Sequence, residues 1–264
     1  MPFIPAKRKI IYISIDFDIY LWYNVTKGKN AFLYFCYVFR MELTTVLENT
    51  QPTKNYTFKE KPFYNFLKRC FDIFCSLILI IVASPVLILI AILVKAQDGG
   101  NVIFKSPRIG KNGEEIKVFK FRSMFMNADD LLNSLSPEAR EEYEKEYKLE
   151  KDPRITKIGN ILRKTSLDEL PQLFNVLFGT MSLVGPRPVL YEETLLYGEN
   201  RDLLLKVKPG ITGLWQVSGR NNISYANGER QAIELEYVEK RSFFFDIKIL
   251  ILTVGAVFKM KGAM

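Results

Sequence analysis

The sequence predicts an α+β fold that is mainly helical, combining a re-entrant membrane helix hairpin, interfacial amphipathic helices and a small β-hairpin in a single domain. Three observations predict it. A charge-free run between Asp72 and Lys95 is about as long as a membrane span and is broken near its middle by Ser84-Pro85. The stretches Val102–Lys105 and Ile116–Arg122 flank the Gly-rich connection Gly110-Lys111-Asn112-Gly113, which is a hairpin signal. Much of the remaining chain carries helix-forming charged and apolar segments, punctuated by Gly and Pro.

Residues 1–62 read as an N-terminal extension, apolar and aromatic but irregular, closed by a polar linker over 51–62. Asp16 and Asp18 interrupt Ile10–Tyr23, the segment Ala31–Phe39 is too short to span, and no cleavage pattern follows. Met41 opens an ordinary polar leader and is an alternative start. The domain proper covers 63–264, with the membrane helix at about 68–95. Pro85 removes a helix hydrogen bond and kinks the chain, and the Ser84 hydroxyl is placed to satisfy a carbonyl so freed. A kinked helix can cross once or enter and leave by one face. Lys68 and Arg69 before it, and Lys95 after it, favour the second, because positive charge stays on the cytoplasmic side.

Past the hairpin, Asn127–Lys151 is a charged helical stretch in which Pro137 opens a second helix after Ser136, and Asp152-Pro153 ends it. A short basic helix over Thr156–Lys164 and an apolar one over Leu167–Leu177, stopped by Gly179, form a pair. Residues 185–222 are Gly- and Pro-rich ordered loops. Residues 229–241 read as a helix, and Phe243–Met260 as a core or interfacial helix with Lys248, Lys259 and Lys261 placed for head groups.

Composition removes several chemistries. There is no histidine among the 264 residues, so Ser-His-Asp triads, Cys-His pairs and His-ligated zinc are excluded. Cys36, Cys70 and Cys75 form no CxxC and read as small buried hydrophobes in a reducing compartment. The net charge of +8 suggests an anionic partner or a basic membrane-facing surface.

The densest chemical candidate is Arg163 to Leu173. Ser166-x-x-Glu169 is a capping box, either Ser166 or Asp168 can be the N-cap, and Pro171 favours the later start. On these residues alone, capping explains the acids better than catalysis does. Their surroundings argue the other way. A helix N-terminus is an anion site, Arg163 and Lys164 precede it, and Arg187 follows in the rigid turn Gly185-Pro186-Arg187-Pro188. A carboxylate can attack phosphorus, and a second beside it can hold Mg²⁺ together with substrate phosphates. Trp215 is as much a core aromatic as a stacking platform.

These segments occur in a recognisable order: KRCFDI with the apolar SP hairpin, KVFKFRSM, DPRITKIGNILRKTSLDELPQLFNVLFGTMSLVGPRP, KPGITGLWQVSGR and FDIKILILTV. From about Phe63 onward the chain resembles the bacterial sugar transferase family, the monotopic phosphoglycosyl transferases. The resemblance implies transfer of a sugar 1-phosphate from a UDP-sugar to undecaprenyl phosphate, with release of UMP and a requirement for Mg²⁺. That is the first membrane step of exopolysaccharide, capsule, O-antigen or glycan assembly, on the cytoplasmic face of the bacterial inner membrane. It implies Asp168 as the nucleophile that forms a covalent phosphosugar intermediate and Glu169 as its metal-binding partner. It implies substrate contacts from Lys120, Arg122, Arg163, Pro186, Arg187, Pro188 and Asp246, and makes Ser84-Pro85 the break of the membrane hairpin.

Larger members carry a four-helix membrane region that residues 1–62 have no room for, and Glu234 stands where many have Asp. Membrane lipid is an expected partner, and a homodimer is left open. A catalytically silent scaffold of the same fold is the alternative, against which the intact Asp-Glu pair counts. Nucleic acid is not an expected partner, since no basic stripe interleaves with aromatics.

Overall fold

A computed structural model describes residues 56–134, 149, 152–218 and 228–258. The expectations for residues 1–55, for the helix opening at Pro137, for Gly219 and Arg220, and for residues 259–264 lie outside the described residues. Residues 51–264 form one compact unit.

The unit begins with helix α1, Pro62–Asp98, a single helix of 37 residues. Pro62 stands at its first position, where a missing N–H costs nothing. Gly99 ends it at φ 71°, a left-handed conformation that favours glycine, with its N–H donating to the Lys95 carbonyl. The helix starts earlier than the expected residue 68 and runs through Ser84-Pro85. Pro85 has no N–H to give to the Ile81 carbonyl four residues back. The Ser84 hydroxyl donates to that carbonyl at 2.7 Å, so the expected repair is present.

Both ends of α1 pack on the same unit. Asp72 and Ser76 are buried near its start, and Ile90 and Val94 near its end. Between them, no residue from 77 to 89 is buried, and Val82 is 71% exposed. The helix is long and apolar enough to cross a membrane, and its apolar middle faces outward.

Strands β1, Ile103–Ile109, and β2, Glu115–Phe121, pair antiparallel in the register Ile103↔Phe121 to Ile109↔Glu115. The expected Gly-rich connection closes them through a 3-10 turn, Lys111–Gly113, with Asn112 and Gly113 at positive φ. A short helix α2, Ala128–Asn133, follows. Helix α3, Lys157–Thr165, is capped by Thr156, whose hydroxyl accepts the Gly159 N–H at 2.8 Å.

The apolar helix expected from Leu167 is divided in two. A 3-10 turn, Leu167–Glu169, precedes helix α4, Gln172–Phe178, which Gly179 ends at φ 87°. The expected capping box is not formed. Ser166 is itself left-handed at φ 57° and closes α3 with its backbone N–H, and its side chain caps nothing.

The Gly- and Pro-rich loops contribute one strand of a pair that the composition conceals. Strands β3, Ser182–Val184, and β4, Gly210–Thr212, pair in parallel as Ser182↔Gly210 and Val184↔Thr212. A Cβ on Gly210 would lie 2.1 Å from the Gly185 nitrogen, so the two loops meet only where side chains are missing. Helices α5, Tyr191–Leu195, and α6, Arg201–Leu204, connect β3 to β4. Helices α7, Leu214–Val217, α8, Glu229–Lys240, and α9, Phe243–Phe258, complete the described chain.

The main core joins Val118, Leu173, Val176, Leu183, Val238 and Ile249, with Phe71 and Cys75 of α1 packed against it. A second core joins Phe121 and Leu162 to Ile90 and Val94 near the end of α1. Helix α9 buries Ile249 but leaves Phe244 84% exposed, along with Ile251 and Val254, so one side is core and the other is bare apolar surface.

Candidate active site

Asp168 and Glu169 ride on the 3-10 turn between α3 and α4. The left-handed Ser166 makes that turn by ending one helix and starting the next element within a single residue. Asp168 is buried. Burial pushes its carboxyl above the usual range, Lys120 opposes this, Glu169 adds to it, and Arg163 opposes it. Glu169 is half-exposed, and its Oε1 accepts from the Lys120 ammonium at 2.8 Å. Lys120 is on β2, so the hairpin delivers the base and the 3-10 turn delivers both acids.

Arg163 sits in the last turn of α3. Its Nε donates to the Ser123 hydroxyl at 2.9 Å. Burial lowers its pKa and the charge of Asp168 opposes that. Ser123 is fixed in turn, because its carbonyl accepts the Thr156 N–H at 3.0 Å. A Cβ on Gly159 would lie 1.9 Å from the same carbonyl. Glycine at 159 therefore lets α3 close on the residues after β2, and Arg163 is aimed by that closure.

A cleft opens beside the acids, lined by Lys120 and Glu169 and by Arg187, Pro188, Ile211 and Gln216. Arg187 donates its backbone N–H to Glu234 at 3.2 Å, and its guanidinium lies 5.7 Å from the centre of the Trp215 ring. Arg230 lies 4.2 Å from the same ring. Trp215 is thus buried and flanked by two guanidinium groups. The Pro186 carbonyl accepts the Gly210 N–H at 2.8 Å, which ties the rigid turn to β4. Glu234 is fully buried, and burial pushes its carboxyl up to about 7 against the pull of Arg187 and Arg230.

Lys120, Glu169, Arg187 and Pro188 line this cleft, whereas the other expected site residues, Asp168, Arg163, Pro186, Arg122 and Asp246, are not in its lining. Arg122 follows the end of β2 and is buried against α1, where it grips both carboxylate oxygens of Asp98 and donates to the Val94 carbonyl at 3.3 Å. Asp246 is buried among Tyr64 and Lys68 of α1 and Tyr237 of α8, at 2.8, 2.6 and 2.8 Å. The sequence reasoning singled out neither Ser123 nor Gln216 as a site residue. The motif containing Gln216 was visible, but burial of a side chain in a Gly-rich loop has no one-dimensional signal.

For a metal, the described residues hold no cluster of three or more His, Cys, Asp or Glu side chains. They hold the adjacent pair Asp168 and Glu169. That donor set is too small for a closed cage. It fits Mg²⁺, which takes one or two carboxylates and draws its other oxygens from substrate phosphates and water.

Residues 63–260 match the family model described as bacterial sugar transferase. An uncharacterized sugar transferase of Haemophilus influenzae is 52% identical over 75% of this chain and 42% of its own. The undecaprenyl-phosphate galactose phosphotransferase of Salmonella typhimurium is 49% identical over 75% of this chain and 42% of its own. The exopolysaccharide production protein ExoY of Rhizobium meliloti is 44% identical over 77% of this chain and 90% of its own. The matched region thus spans well under half of the first two relatives and nearly all of the third.

Proposed function

The chain belongs to the bacterial sugar transferase family, and from that premise we propose that it moves a sugar 1-phosphate from a UDP-sugar to undecaprenyl phosphate and releases UMP. The observation that carries this reading is that the buried carboxyl of Asp168 feels Lys120, Glu169 and Arg163 at once, beside a cleft with a third base, Arg187. Such a group has a nucleophile, a metal-binding acid and charge for phosphate oxygens, which is what phosphoryl transfer asks of a protein.

In the proposed reaction an oxygen of ionised Asp168 attacks the phosphorus that bears the sugar. The bond from that phosphorus to the bridging oxygen breaks, and UMP leaves with the electron pair. A phosphate oxygen of undecaprenyl phosphate then attacks the same phosphorus, the bond to Asp168 breaks, and the carboxylate is restored. The charges of Lys120 and Arg163 favour the ionised carboxylate against its burial. Arg187 and Pro188 bind the nucleotide side of the donor. Mg²⁺, held by Glu169 with the donor's phosphates, supplies charge neutralisation when bound.

We assign α1 as a re-entrant helix in the inner membrane, with the domain on the cytoplasmic face. Support comes from both ends of α1 being buried against one unit while residues 77–89 have no buried member. Cysteine labelling on both sides of the helix tests this, and periplasmic labelling of residues before Lys68 would rule it out.

The chemistry is tested by UMP release from a panel of UDP-sugars with purified protein and undecaprenyl phosphate. Asp168→Asn abolishes release and the trapped phosphosugar adduct. Turnover near that of the wild type in this variant would sink the nucleophile assignment.

A further inference from the structure

Gln216 lines the cleft and is 7% exposed, yet its Oε1 has no hydrogen-bond partner among the described residues. A buried carbonyl oxygen left in that state is costly and calls for a ligand. Its room is secured by the backbone. Gly213 precedes α7, and a Cβ there would meet the Gly185 carbonyl at 2.1 Å and Gln216 Oε1 at 2.8 Å.

The cleft is chemically divided. The hairpin and the 3-10 turn contribute Lys120 and Glu169. The segments around β3 and β4 contribute Pro188, Gly210 and Ile211, with Arg187 beside them. The second group offers flat, weakly polar surface, a planar guanidinium and one carboxamide. A carboxamide presents an acceptor and a donor side by side. The imide edge of uracil presents the complement, an N3–H next to a carbonyl.

Resting on the reading of the donor as a UDP-sugar, we propose that Gln216 is the residue that reads the nucleobase, its Oε1 accepting the uracil N3–H. Discrimination by a buried hydrogen-bonding group is strong, because an analogue without the matching group leaves the protein atom unpaired.

The test measures binding of UMP and of 3-methyl-UMP to the full chain in detergent, for wild type, Gln216→Leu and Gln216→Met. Because both substitutions remove an unpaired buried oxygen, neither variant melts below the wild type, and the midpoint is recorded alongside. Wild type prefers UMP by about tenfold, and both variants bind the two nucleotides equally. Undiminished preference in the variants overturns the inference while leaving the transferase reading intact. Equal UMP binding by wild type and variants, with weakened binding of the UDP-sugar alone, moves the contact to the sugar and also overturns it. Wild type that binds neither nucleotide overturns the transferase reading and this inference together.

Discussion

The Lys120 ammonium lies 2.8 Å from Oε1 of Glu169, and it is also the largest charge acting on the neighbouring acid, Asp168. One cation therefore serves two carboxylates with opposite needs. In the proposed reaction Asp168 must stay ionised to attack, and burial works against that. In the same proposal Glu169 must be free to take a metal, and Lys120 occupies one of its oxygens. A metal at Glu169 competes with Lys120 for that oxygen.

The acid limb of kcat/KM for UMP release follows from this arrangement. Activity needs ionised Asp168 and is lost as pH falls through its raised pKa. Lys120→Met removes an opposing charge, so the limb moves to higher pH. Glu169→Gln removes a like charge, so the limb moves to lower pH. Each limb is read against that variant's own plateau, since both substitutions also lower the plateau. Shifts of the same sign would contradict the assignment of the limb to Asp168.

Glu234 provides a separate pH signature, in stability. Its buried carboxyl titrates at about 7, above the ordinary 4.5. Between those values the folded chain holds a proton that the unfolded chain has released, so stability falls as pH rises through the window. Glu234→Gln keeps an oxygen for the Arg187 N–H and removes the charge. Its melting midpoint gains on wild type by a few degrees between about pH 5 and about pH 8. A difference independent of pH would mean that Glu234 keeps one protonation state throughout.

These two sites differ in how far the sequence disclosed them. The hairpin, the helix end at Gly179 and the Ser84 repair of the proline break rest on local rules, and the structure has each. Capping at Ser166 rests on a local rule too, and it failed. Ser166 instead ends α3 in the left-handed region with its backbone N–H, and no pattern within the segment reports that. The β3–β4 pair failed for a related reason. Glycines at 185, 210 and 213 read as loop formers, whereas they are the contact points between two strands and α7. Arg122 lies two residues from Lys120, and the sequence pairs them. The structure separates them, because Asp98 at the end of α1 takes the guanidinium.

Gly159→Ala tests the closure that aims Arg163. The added Cβ would lie 1.9 Å from the Ser123 carbonyl, a backbone atom that also accepts from Thr156. Helix α3 has to move away, at a cost of about 3 kcal/mol. Denaturant midpoints report the cost, and UMP release falls by more than tenfold as Arg163 loses its place beside Asp168. Ser123→Ala removes only the hydroxyl at Arg163 and loses activity with little loss of stability, roughly 1 kcal/mol. If Gly159→Ala matched the wild type in both measurements, the tight approach would not constrain the site.

Asp246 separates two roles that the sequence cannot distinguish, substrate contact and anchoring of the membrane helix. Its oxygens accept from Tyr64 and Lys68 of α1 and from Tyr237 of α8, and Tyr237 also reaches the Val184 carbonyl at 3.2 Å. Val184 ends the strand that leads into the Pro186-Arg187-Pro188 turn. On α1 itself, Asp72 accepts the Leu183 N–H at 3.0 Å. The start of α1 is therefore tied to the strand behind the cleft at two points. As an anchor, Asp246→Asn leaves the partly buried Lys68 beside a neutral amide and costs about 2 kcal/mol. Lys68→Met in the same chain recovers part of that loss, so a double-mutant cycle on stability gives a coupling of roughly 2 kcal/mol. As a substrate contact, Asp246→Asn would instead raise KM with stability unchanged, and the cycle on stability would show no coupling. The four chains, measured for denaturation in detergent and for KM of the UDP-sugar, decide between the two, and the three donors around Asp246 predict the anchor.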